Sequence, residues 1–352
     1  MNPSTSPFRH LFPLCALLIG APAFAQTEAK TDPVGFITLD VAGAGAANTT
    51  ALSFKGLGLT RPVEYQGSAE AVGTNPPNTL TDNEATWTDN QFNGLGAAYY
   101  LEVTSGPAAG TTYDIAGTSA ATKTITLSQN LGANVAAGVT FKIRKHWTIA
   151  SVFGAANEAG LTPGTDANSG DQILLYNGTA YERYFFLTGA GWRNVNDPNT
   201  DAAQTRLYPD DGVILARRGN TPINVVLMGA VKTGQTSVPT FPGTNVVSNT
   251  YAAPMTLASS GLVVLAGGVP DPTKGLAGGN VSTADVVLLW NGTSYDHFYY
   301  QTEGIGGVGW RKGGAPTIDA SATQIAVGAS FVITRKVDTA FDWVSPQHPP
   351  NL

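Results

Sequence analysis

The chain has 352 residues, a formal net charge of −6, 12% charged residues, 41 glycines and a single cysteine. Its charge content is about half the average of roughly 25%, and its one dense basic run is Lys142-Ile143-Arg144-Lys145-His146, so nothing points to a nucleic-acid partner. The 9% aromatic content argues against disorder, and the glycine-rich, low-charge composition suits short strands joined by tight turns.

Residues 1–25 read as an export signal. Arg9 and His10 give a modest positive start, Leu11 to Ala21 an apolar stretch, and Ala23-Phe24-Ala25 a small-x-small cleavage site. Cys15 lies inside that stretch, so the expected mature chain of 327 residues (352 − 25) carries no thiol, disulfide or cysteine-based metal site. No later segment is long and apolar enough to span a bilayer as a helix. The expected location is periplasmic, cell-surface or extracellular, with no membrane span after cleavage.

Residues 26–146 are expected to form an N-terminal β domain, followed by two related modules, 147–235 and 236–352. The evidence is an internal repeat. Leu174-Leu175-Tyr176-Asn177-Gly178-Thr179-Ala180-Tyr181-Glu182-Arg183-Tyr184-Phe185-Phe186 matches Leu288-Leu289-Trp290-Asn291-Gly292-Thr293-Ser294-Tyr295-Asp296-His297-Phe298-Tyr299-Tyr300 with six identities in 13 positions. Asp171 and Asp285 precede the two segments at one offset, and Gly191-Trp192-Arg193 and Gly309-Trp310-Arg311 follow them. A period above 100 residues means duplicated domains and not a solenoid. Each segment is predicted to be a β-hairpin, with Asn-Gly at the centre of a type I′ turn. Thr148 is placed to cap a short helix through Ile149, Val152 and Phe153, and Thr256 another through Leu257. Three prolines between Thr233 and Pro254 mark a connection or an edge strand.

These features resemble an uncharacterised family of exported, duplicated-module β proteins found mainly in verrucomicrobial genomes. The resemblance rests on Asp32-Pro33-Val34-Gly35-Phe36, Tyr99-Tyr100-Leu101-Glu102-Val103-Thr104-Ser105-Gly106, His146-Trp147-Thr148-Ile149, the paired aromatic hairpins and the two Trp-Arg elements. It implies export and this architecture. It brings no activity and transfers no functional residue.

Recognisable catalytic signatures are missing. His146, His297 and His348 stand in no metal-binding spacing, and there is no G-x-S-x-G elbow and no S-x-x-K. Asp171 and Asp285 read as turn or strand-entry hydrogen-bond acceptors. A pair of carboxylates suffices for a glycosidase, so a carboxylate-dependent glycan hydrolase stands as the alternative function. Asn194 to Asp201 and Asp82-Asn83-Glu84 lack the spacing of an EF-hand calcium loop and read as polar surface loops. No cofactor and no metal site is expected.

The binding candidates are the repeated aromatics with their arginines: Tyr181, Trp192, Arg193, Tyr295, Trp310 and Arg311. An exposed Trp or Tyr beside an Arg makes a recognition surface. The same residues also fill β cores, with Arg stacked over the rings, and the sequence leaves both readings open. The overall expectation is an all-β, exported, non-catalytic envelope or surface protein, structural or binding polysaccharide or another envelope component.

Overall fold

The structure is a computed structural model that describes residues 32–348, apart from 48, 76 and 94–97. The expected export signal, residues 1–25, lies outside the described residues. The fold is all-β: the described residues form 29 strands and one short helix, Ile149–Phe153.

Three separate cores organise these strands. One seven-stranded antiparallel sheet contains only residues between 63 and 145, in the order Val63–Ser68, Thr140–Lys145, Tyr99–Val103, Thr112–Ser119, Thr124–Leu127, Thr79–Thr81, Ala71–Val72. Its core includes Leu80, Leu101, Ile125, Phe141 and Ile143.

Two six-stranded sheets make up most of the rest. The first runs Asp197–Asp201, Gly191–Asn194, Tyr181–Leu187, Gln172–Tyr176, Val213–Arg217, Ala51–Lys55. The second runs Ala315–Asp319, Gly309–Lys312, Tyr295–Gln301, Val286–Trp290, Ser330–Arg335, Gly243–Ser248. The two orders agree strand for strand. Even a register shift recurs, between Arg193 and Asn194 in one and between Arg311 and Lys312 in the other.

Each six-stranded sheet has a two-stranded ribbon beside it. Val34–Val41 pairs with Ile223–Ala230, and Thr236–Thr240 with Phe341–Ser345. In the first ribbon alternate residues Ile37, Leu39, Val41, Val225 and Leu227 turn inward and join Trp147, Ile173, Trp192 and Leu215 in one core. Period-two alternation places one set of side chains on one face, and each such burial contributes roughly 1.5–3 kcal/mol.

A division after residue 146 therefore does not follow the pairing. Residues 34–60 complete the sheet and core of residues 147–230, and the seven-stranded unit is enclosed between them. In the first half, 57–146 connect Gly56 to Trp147. In the second half, the six residues 249–254 connect Ser248 to Met255 at the corresponding place. The two ends of the long excursion lie together, since the Trp147 indole Nε1 donates to the Leu59 carbonyl at 2.9 Å. The segment 233–254, expected as a connection or edge strand, supplies both a ribbon strand and the edge strand Gly243–Ser248.

Local predictions divide. Thr148 caps the helix Ile149–Phe153 through a reciprocal bond pair with Ser151. Thr256 makes the same exchange with Ser259, but the chain there forms a turn and no helix.

A buried ion cluster joins the seven-stranded unit to the strand connection at Lys232. The Glu102 carboxylate meets Arg144 at 3.3 Å and also Lys232; Asp32 meets Lys142 at 2.6 Å and also Arg144. Burial alone would raise the Glu102 carboxyl, but the Lys232 and Arg144 charges outweigh it and hold it below the usual range.

Candidate functional site

The hairpin loops set the site. Tyr176 pairs with Tyr181, and Trp290 with Tyr295, so each loop holds four residues and not two. Gly178 and Gly292 take positive φ, at 96° and 102°, while Asn177 and Asn291 do not. The type I′ expectation fails here because the Asn side chain takes another role. Asn177 Oδ1 accepts from the backbone N–H groups of Thr179 and Ala180 at 3.1 and 2.9 Å. Asn291 Oδ1 does the same for Thr293 and Ser294 at 3.1 and 2.9 Å. An Asn that satisfies the loop amides through its side chain has no need of the left-handed region.

At the base of each loop this geometry leaves an aromatic pair. Tyr176 and Tyr181 have ring centroids 5.2 Å apart, and so do Trp290 and Tyr295. Phe54, on the edge strand Ala51–Lys55, reaches across from the first sheet to the second hairpin. It stands 5.0 Å from Trp290 and 5.3 Å from Tyr295. Burial pushes the Tyr295 hydroxyl up to about 12, and the neighbouring Tyr181 adds to the shift.

Beside this cluster lies a cleft of about 440 Å³ whose lining includes Asp40, Leu52, Phe54, Lys55, Trp290 and Val327. Leu52 and Val327 are each 37% exposed and make its apolar rim. Burial pushes the Lys55 ammonium below its usual range, with Asp40 opposing the shift. The Trp290 indole Nε1 is shielded from solvent and has no hydrogen-bond partner among the described residues. The other five tryptophans are at most 5% exposed, so Trp290 is the one that is not fully buried.

The six residues singled out from sequence divide sharply. Trp192 and Trp310 are 1% and 3% exposed and belong to the cores of the two halves. Trp192 packs edge-on to Phe186 at 5.2 Å and donates to the Gly154 carbonyl at 2.8 Å. Trp310 packs edge-on to Tyr300 at 5.9 Å. Arg193 and Arg311 donate to the carbonyls of Trp192 and Trp310 at 2.7 and 2.8 Å, and each faces an aspartate, Asp201 at 3.6 Å and Asp319 at 3.4 Å. They hold the bulged strand pair and present no recognition surface. Tyr181, 38% exposed, and the half-buried Tyr295 remain as candidates.

Phe54, Lys55, Asp40, Tyr176 and Trp290 join them without having been singled out. Phe54 lies more than 200 residues from the hairpin it touches, and no local pattern announces that contact. Trp290 carried only a weak signal: its exchange for Tyr176 is one of seven differences within the 13 matched positions.

The repeated aspartates serve the scaffold. Asp171 meets Arg217 at 3.0 Å and accepts from the N–H groups of Thr162 and Arg218. Asp285 meets Arg335 at 2.9 Å and accepts from those of Ala277 and Lys336. All four side chains of the two pairs are at most 2% exposed. His146 is buried against Asp114 at 2.9 Å, and the same carboxylate takes Arg206 and Tyr208. His348 bonds the Ser259 carbonyl, and His297 is exposed on its strand.

No protein family, curated protein or solved structure matches the chain. Among the described residues no helix is long and apolar enough to cross a membrane.

Proposed function

We propose that this is an exported, non-catalytic protein of the cell envelope or surface that binds polysaccharide through the aromatic cleft at Phe54, Trp290 and Tyr295. In this reading the two halves are copies of one module. The first is residues 34–60 with 147–230, and the second begins at the ribbon strand Thr236–Thr240. The seven-stranded unit is an insertion in the first copy. The resemblance to exported verrucomicrobial β proteins belongs to the same proposal.

The observation that carries the reading is the 440 Å³ cleft lined by the half-buried Trp290 and the buried Phe54, with the half-buried Tyr295 packed against both rings. A sugar ring has apolar C–H faces and a polar hydroxyl edge. Aromatic walls with a few placed polar groups suit it, and Lys55, Asp40 and Ser53 supply the polar groups. The repeated aspartates, which a hydrolase would draw on first, are instead engaged with arginines and backbone amides.

The test is retention of residues 26–352 by a panel of insoluble and soluble polysaccharides, with reducing ends assayed in the same tubes. Retention by at least one polysaccharide without new reducing ends is expected. Release of reducing ends would turn the reading to the hydrolase, and retention by none would remove the glycan.

A further inference from the structure

The basic run Lys142-Ile143-Arg144-Lys145-His146 takes part in a charge cluster that the protein does not neutralise. Alternate residues of the strand Thr140–Lys145 share a face, so Lys142 and Arg144 stand together. Glu102, on the neighbouring strand Tyr99–Val103, pairs with Lys142. Lys232, just beyond the strand Ile223–Ala230, joins them. The contacts form an open chain: Lys142 to Asp32, Asp32 to Arg144, Arg144 to Glu102, Glu102 to Lys232. It holds three cations and two carboxylates, and it ends on a lysine at each side.

The excess charge is buried. The side chains of Arg144 and Lys232 are 2% and 4% exposed, and that of Lys142 is 21% exposed. A charge held out of water without a counter-charge is costly. Among the described residues no third carboxylate pairs with any of the three cations. Asp210 lines a small cavity together with Glu102 and Lys232, but burial pushes its carboxyl up, away from the charged form.

A pocket of about 180 Å³ opens at the two ends of the chain of charges. Its lining brings together Lys142, Arg144 and Lys232, with Glu102 as its one carboxylate. Both terminal lysines reach it and Asp32 does not. The space equals that of about six waters. The lining continues through residues 233–235, whose backbone N–H groups have no backbone acceptor among the described residues. Free N–H groups beside fixed cations favour an anion with several acceptor oxygens.

We infer that this pocket is an anion site, taking the carboxylate, phosphate or sulfate group of a small ligand between Lys142 and Lys232, where it closes the open chain of charges into a ring. Its lining shares no residue with that of the cleft at Phe54 and Trp290, so the site stands independently of the glycan reading. Lys142 and Arg144 belong to the seven-stranded unit and Lys232 does not, so a bound anion fastens that unit to the connection beside it.

The experiment follows the melting temperature of residues 26–352 during titration with phosphate, sulfate and glucuronate in turn. Ionic strength is held constant with chloride, which serves as the reference. A saturable rise with at least one oxyanion is expected, and the one that acts at the lowest concentration tells an inorganic anion from an acidic sugar. Lys142→Gln, which leaves Asp32 with Arg144, should raise the half-effect concentration at least ~10-fold. Lys145→Gln should leave it unchanged, because Lys145 lies outside the pocket and pairs with Glu64. Thr233→Glu supplies a third carboxylate from the pocket wall. It should melt above wild type without added oxyanion and respond to none. A rise that is linear in concentration, the signature of salt exclusion, or no rise beyond that with chloride, would overturn the site. So would equal losses in Lys142→Gln and Lys145→Gln, or a Thr233→Glu protein that responds as wild type does. If Lys142→Gln fails to melt cooperatively, Thr233→Glu decides.

Discussion

Trp192→Ala separates scaffold from site. The indole is 1% exposed and its Nε1 donates to Gly154 at 2.8 Å. A buried tryptophan removes about 150–250 Å² from water, which at ~25 cal/mol per Å² is at most ~4–6 kcal/mol. Truncations of this kind cost ~3–5 kcal/mol, and the orphaned Gly154 carbonyl falls within that sum. The expected loss is therefore about 4 kcal/mol for Trp192→Ala. Trp192→Phe, which gives up the hydrogen bond and part of the area, should lose about 1–2 kcal/mol. Tyr181→Ala, at a position 38% exposed, should stay within ~1 kcal/mol of wild type. The assay is urea unfolding, read as a shift in midpoint at constant slope. A Trp192→Ala protein within ~1 kcal/mol of wild type would refute the core assignment and return Trp192 to the list of surface candidates.

Asp285→Asn leaves Arg335 buried without its counter-charge and should cost ~3–5 kcal/mol in the same assay; a neutral result would mean that the Asp285–Arg335 contact at 2.9 Å contributes nothing. Asp211 gives a pH signature. Burial, reinforced by the Asp210 charge, raises its carboxyl from 3.8 to about 8, so the folded chain holds a proton that the unfolded chain releases. That contribution is complete below about pH 4 and is lost as pH rises towards 8. Asp211→Asn should remove this part of the decline, so that variant and wild type diverge most near pH 8, and parallel stability curves from pH 4 to 8 would contradict it. Replacing residues 61–145 with a short Gly-Asn linker should leave a folded protein with near-ultraviolet dichroism and a cooperative melt, because Leu59 and Trp147 are already in contact and the other half crosses the same gap in six residues. Loss of cooperative unfolding would show that the first module depends on the inserted unit.

The all-β class was legible because low charge, frequent glycine and short β-rich runs act locally. The Thr148 cap was legible for the same reason. Strand partners were not: alternation in Val34–Val41 shows a strand with one buried face, but nothing in those residues names Ile223–Ala230 as its partner. The Asn-Gly turns were misread because two local preferences of Asn compete, and the side-chain acceptor won over the left-handed backbone. The repeated Trp-Arg pairs misled in another way. Repetition marks positions that both halves need, and the cores of the two halves need their Trp192 and Trp310 more than a surface does. The cleft sits where the matched positions of the two halves differ, at Phe54 against Val246 and Trp290 against Tyr176, and that difference gains meaning only once the two halves are seen to meet there.

Because Trp290 alone among the six tryptophans is not fully buried, its fluorescence reports on the cleft directly. The deciding measurement is the emission spectrum of residues 26–352 during titration with a soluble polysaccharide retained in the panel, for wild type and for Trp290→Phe. A saturable shift is expected in wild type and none in the folded variant. An unchanged wild-type spectrum at saturation, or an equal shift in Trp290→Phe, would place the ligand elsewhere and contradict the cleft as the binding site.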